Sequence, residues 1–209
     1  MGSEHFDVHD EDEFEVDEWT PDVRILIEGF DEVFLAESLR AADRATEAMK
    51  ASDAPGVAGA TGAAVLLATA ACEARLSEFV STHETSIGAA AVDEIRRPSR
   101  DRGDAAKQWR LLLANRASTF DCENSHEFKA LRCLFVLRDL VAHRGARHLR
   151  LGEWPEQLTR YNCIAEKTIP VDETDGVDWT SAVYVQRVAL WAAETAQKWL
   201  AVASGLGIG

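Results

Sequence analysis

The chain has 209 residues, 46% of them hydrophobic and 28% charged, with 22 basic and 36 acidic side chains and a formal net charge of -14. That length suits one domain of ordinary size with a core that needs no staples, and the composition excludes collagen, low-complexity disorder and a disulfide-dense scaffold. Such a charge argues against a phosphate-binding protein, which works through Lys and Arg, until its distribution along the chain is considered.

Residues 1–22 hold ten acids (Glu4, Asp7, Asp10, Glu11, Asp12, Glu13, Glu15, Asp17, Glu18 and Asp22) and no Lys or Arg. The remainder, 23–209, has 26 acids and 22 bases, a balance of -4. Like charges at that density repel, and few apolar residues are present to oppose them. The pattern predicts a largely disordered acidic arm over 1–22, followed by one domain over 23–209. The arm reads either as a solvated tail or as a cover over a basic site on the body.

Thr20-Pro21 is a helix start, a capping hydroxyl followed by a proline in the first turn. The helix it opens carries Ile27, Phe30, Phe34, Ala41, Ala45, Ala48 and Met49 and ends before Asp53-Ala54-Pro55-Gly56. A second helix is predicted over 58–83, with Val65, Leu66, Ala70, Leu76, Phe79 and Val80 on its apolar side. Pro55 to Cys72 holds no charge, but Ala, Gly and Thr dominate it. It therefore reads as a close-packed core helix rather than a membrane span, which needs about 20 strongly apolar residues.

Shorter helices are predicted near 87–97 and 104–117, the latter with Trp109, Leu112 and Leu113 facing inward. Asn124, with Glu127 three residues on, resembles a capping box. The helix it opens runs to Arg144 and stops at Gly145. Its residues 133–137 are apolar all round, which predicts a central, buried helix. A loop-rich stretch over 146–178 includes one short helix near 155–167. The last helix, 180–203, opens at Thr180 or Ser181 and buries Val185, Val188, Ala192, Ala196, Trp199 and Leu200. The whole reads as a single all-α domain, a bundle of four to five long helices with short elements inserted.

One constellation carries chemistry. The end of the central helix and the residues after it include Arg138, His143, Arg144, Arg147, His148 and Arg150, with Asp139 the only acid between 138 and 150. A guanidinium in an otherwise apolar helix must meet an anion or water. Five residues put Arg138 and His143 about 140° apart with a rise of about 7.5 Å, so a second surface is needed to bring them together. Histidine titrates near neutrality and moves protons; arginine offers a fixed fork that fits phosphate. The pair suits RNA cleavage by attack of the 2′-hydroxyl on the adjacent phosphate, with Arg144, Arg147, His148 and Arg150 holding the backbone. The residue types equally allow a plain ion pair between Arg138 and a helix acid such as Glu73, the basic cluster complementing the helix dipole.

The run Leu137-Arg138-Asp139-Leu140-Val141-Ala142-His143 resembles the signature of the HEPN (higher eukaryotes and prokaryotes nucleotide-binding) superfamily, an Arg and a His four to six residues apart late in a long helix. Arg138 matches its arginine, Asp139 its polar position (most often Asn) and His143 its histidine; Arg144 intervenes where many members have His-Gly. The Ala-rich second helix with Glu73, and the closing helix with Trp191-Ala192-Ala193-Glu194, are similar to family elements. The resemblance implies a homodimer with a composite site and a metal-independent endoribonuclease of toxin–antitoxin or phage-defence type. His143 then moves the proton and Arg138 stabilises phosphoryl charge, with Asp139 and Glu73 supporting them. It also allows a non-catalytic nucleotide-binding or protein-interaction module.

No cofactor, metal or membrane is called for, and the expected partners are RNA, a second copy and a cognate antitoxin or defence partner. Cys72, Cys122, Cys133 and Cys163 show no CxxC spacing, and Cys72 and Cys133 read as free thiols packed as small hydrophobes. The acidic N-terminus lacks the basic region of a secretory signal. Together these predict a reducing cytoplasm.

Overall fold

The computed structural model describes residues 29–97, 105–142, 153–171 and 178–209. Among the described residues there are nine helices and no strand, an all-α fold of helices packed on one another. The acidic arm 1–22 and the start of the first helix at Thr20 lie outside them.

Helix α1 (Phe30–Lys50) turns at Ala51-Ser52 into α2 (Ala54–Thr82), the longest helix. Asp53 sets where α2 begins, since its side chain accepts the Gly56 amide at 3.0 Å and Pro55 sits in the first turn. The helix therefore starts four residues before the predicted 58. By length and composition α2 qualifies as a membrane span, yet here α1, α6 and α9 pack on it. Two short helices come next, α3 (Glu84–Ile87) and α4 (Ala89–Arg96), then α5 (Ala105–Arg116).

Helix α6 (His126–Ala142) is central, and Phe128, Leu131, Cys133, Leu134, Phe135, Val136 and Leu137 are all buried, as its unbroken apolar run predicts. Its cap is one residue later than the sequence suggests. Ser125 Oγ accepts the Phe128 amide at 3.1 Å and donates to Glu127 at 2.9 Å. Asn124 instead closes a turn on Asp121, donating its side-chain amide at 2.6 Å. Helix α7 (Glu156–Arg160) is the short helix expected in the loop region.

The predicted closing helix is divided, which corrects the single span 180–203. Helix α8 (Trp179–Val183) ends at Tyr184, and α9 (Gln186–Gly205) begins after an extended Val185. Tertiary packing makes the break. A Cβ placed on Gly62 of α2 would stand 3.6 Å from the Tyr184 ring, and Thr61 donates to the Val185 carbonyl at 3.4 Å. Two β-branched neighbours, Val183 and Val185, reduce the local helical preference.

Two kinds of contact fill the core. Ala41, Ala42 and Ala45 of α1, Ala64 of α2, and Ala189 and Ala193 of α9 form a small-residue cluster. Large side chains join α9 to α5 and α6, with Trp199 edge-on to Trp109 at 5.2 Å and to Phe128 at 5.6 Å. Where the alanines set the spacing, larger side chains have no room between the helices. Phe30, Met49 and Leu66, read from the sequence as core-facing, are exposed. Asp31, only 2% exposed, is paired with Arg75, whose Nε donates to it at 2.7 Å. Arg75 also reaches Ser204 at 3.4 Å and so links α1, α2 and α9.

Cys133 is joined to Cys163 by a disulfide across 5.7 Å between their Cα atoms, and both residues are buried. This corrects the reading of Cys133 as a free thiol. A sequence separation of 30 gives no clue to the pairing, which exists because α7 and the turn after it fold back on α6. Cys72 and Cys122 are free.

Candidate functional site

Arg138 lies in the last turns of α6, where the helix leaves the core and its flank faces α2. Its side chain is 26% exposed and Nη2 donates to Glu73 Oε1 at 2.5 Å. Its Nε is buried and 3.3 Å from Asp139 Oδ1, close enough to feel the charge but too poorly aligned for a hydrogen bond. One turn back, the Phe135 ring lies 5.8 Å below the guanidinium carbon, a cation–π contact that the i, i+3 spacing makes available. The head group is thus held by two carboxylates and one aromatic face.

The charges around it do not balance. One guanidinium faces two carboxylates among the described residues, and Glu73 reports the imbalance. Burial pushes its carboxyl above the usual carboxylate range, Arg138 pulls it down, and Asp139 pushes it up again. Glu73 is nevertheless 43% exposed, because α2 carries it to the edge of a cleft of about 280 Å³. The arrangement can present a cation to an anionic group while keeping a proton acceptor beside it. A phosphate would also gain from basic residues that offset the second carboxylate.

The structure brings together three of the residues singled out from sequence, Arg138, Asp139 and Glu73. His143, Arg144, Arg147, His148 and Arg150 lie outside the described residues. The disulfide bears on them all the same, because residues 134–162 form the loop it closes and every one of these positions is within it. Phe135 is a contributor that the sequence reading passed over. Its position three residues before Arg138 was a usable signal; the disulfide and the cleft had none.

Compared with protein-family models, with curated proteins and with solved structures, the chain matches none.

Proposed function

We propose that the chain is a metal-independent endoribonuclease of HEPN type. The observation that carries this reading is the placement of Arg138, a charged head at the rim of an otherwise buried helix, five residues before His143 in a segment rich in arginine. In the proposed reaction His143 accepts the proton of a ribose 2′-hydroxyl as its oxygen attacks the adjacent phosphorus. The bond to the 5′-oxygen breaks, that oxygen takes a proton from solvent water as it leaves, and the products are a 2′,3′-cyclic phosphate and a 5′-hydroxyl. Arg138 stabilises the charge on the non-bridging oxygens, and Glu73 and Asp139 hold its fork in position. Arg144, Arg147, His148 and Arg150 provide the remaining positive charge for the backbone.

The five-residue spacing of Arg138 and His143, which on an ideal helix would set them about 140° apart, supports a homodimer in which two copies complete one site. Sedimentation is expected to give a dimer at micromolar concentration, and a monomer would contradict the composite site. A toxin or phage-defence role, with a cognate antitoxin or defence partner, belongs to the same proposal, whereas the Cys133–Cys163 disulfide removes the free-thiol argument for a reducing cytoplasm. A second reading, a non-catalytic nucleotide-binding or protein-interaction module, draws on the Arg138–Glu73 pair, since a guanidinium already neutralised resembles a structural ion pair.

The two readings separate in one assay. Purified protein with single-stranded RNA in EDTA should give fragments, and Arg138→Ala or His143→Ala should reduce the rate at least about 100-fold. Unchanged folding by circular dichroism would accompany that loss. Cleavage that survives both substitutions, or that requires added Mg²⁺, would contradict the proposed mechanism.

A further inference from the structure

The cleft beside Glu73 has no part in the proposed cleavage, yet it shares a carboxylate with it. Its floor is Leu76 and Val80 of α2 and Ile95 of α4, all buried and apolar. Its rim is polar, with Glu73 and Ser77 on α2, Arg96 on α4 and Gln108 on α5. Among the described residues no side-chain hydrogen bond occupies Ser77 or the Gln108 amide. Arg96 leans away, toward Ser81 at 3.3 Å and Glu84 at 3.6 Å. An apolar slot with polar groups at one edge is the usual form of a small planar ligand site, and about 280 Å³ lies near the lower end of such clefts. It has room for one base with its sugar and not for a dinucleotide.

We propose that this cleft is a base-recognition subsite and that the base it takes is guanine. The choice follows from the donors and acceptors. Glu73 is an acceptor with two oxygens, and Arg138 occupies one lone pair of Oε1. Guanine alone among the four RNA bases presents two adjacent donors, N1–H and the 2-amino group, matching the two oxygens of a carboxylate. Adenine and cytosine set one amino group beside a ring acceptor, and uracil sets one donor between two carbonyls; each would turn a lone pair toward Glu73. The Gln108 amide can donate to the guanine O6, while Leu76, Val80 and Ile95 cover the ring face. Since Glu73 also holds Arg138, a base seated here would carry its own ribose toward the guanidinium.

The subsite rests on the ribonuclease reading for its purpose, but it can be tested by binding alone. The full chain is titrated calorimetrically with 5′-GMP, 5′-AMP, 5′-CMP and 5′-UMP. RNA fragments made by the same protein are sequenced at their ends. GMP should bind at least about 10-fold more tightly than the others, the margin of one good bidentate base contact. Ser77→Leu, an exposed position whose larger side chain fills the cleft, should abolish that binding. Glu73→Gln, which replaces one acceptor by a donor, should erase the preference. Equal binding of all four nucleotides, no binding of GMP, or GMP binding that survives Ser77→Leu would overturn the subsite. If selective GMP binding is found without RNA cleavage, the subsite stands and the ribonuclease reading falls. If RNA is cut in EDTA with no base preference, and equally by Ser77→Leu, the reverse holds.

Discussion

Arg138 is surrounded by more negative charge than it carries, and this shapes how the site should respond to pH. Glu73 holds its proton more tightly in the folded chain than in the unfolded chain, because burial and Asp139 together outweigh Arg138. Between the ordinary carboxylate value and the raised one, the folded state binds more protons, so this residue's contribution to stability declines as pH rises through that window. Urea unfolding of the wild type and of Glu73→Gln should therefore diverge as pH rises above the ordinary carboxylate value, the wild type losing ground to the variant as the Glu73 carboxyl gives up its proton. A difference independent of pH would show that Glu73 is not perturbed. Glu127 behaves oppositely. Its own backbone amide and the Ser125 hydroxyl lower its carboxyl, so its stabilising share is present above the unfolded value and disappears as acid protonates it.

At the scale of the helix, local chemistry decides where elements start and tertiary contact decides where they break. The Ser125 cap is a case of the first. Ser125→Ala removes the oxygen that satisfies the Phe128 amide and should cost about 1 kcal/mol, read as a shift in the urea midpoint, whereas Asn124→Ala, at the residue that the sequence pattern favoured, should leave the start of α6 intact. The sequence misplaced this cap because Asn124 and Ser125 are both good capping residues, and only the turn around Asp121 assigns Asn124 elsewhere. The central position of α6 was legible, since no exposed face can be drawn through residues 133–137. The break between α8 and α9 was not, because it depends on Tyr184 packing beside Gly62 and on the Val185 carbonyl accepting from Thr61, contacts with α2 more than a hundred positions away in sequence. Of the candidate site, Arg138 could be picked out as a charge directly after the apolar run 133–137, and Glu73 as the first charge after the uncharged stretch from Pro55 to Cys72. Their pairing needed the packing of α6 on α2.

Across the described residues, the helices meet in an alanine-lined contact of α1, α2 and α9 and in a larger core cluster that includes Trp109, Phe128 and Trp199, with α2 and α9 belonging to both. The disulfide ties the segment after α7 to the middle of α6 and closes the loop that contains Arg138 and the basic residues beyond it. Closing a loop of this length constrains the unfolded chain by about 3–4 kcal/mol in the chain-entropy account. Cys163→Ser should destabilise the protein on that order, and thiol titration of the denatured, unreduced chain should find Cys72 and Cys122 only; four reactive thiols would show the pair to be open. Burial pushes the Cys72 thiol far above its ordinary value, so it should react only after unfolding. The net charge of -14 that first argued against phosphate resolves into an acidic arm and a nearly balanced body with a basic segment beside a positioned arginine. The ribonuclease proposal for that segment stands or falls on the chemistry of the fragment ends. Mass spectrometry of an RNA oligonucleotide incubated with the protein in EDTA should show 2′,3′-cyclic phosphate and 5′-hydroxyl ends that vanish with Arg138→Ala. Intact RNA, or 5′-phosphate ends, would contradict it.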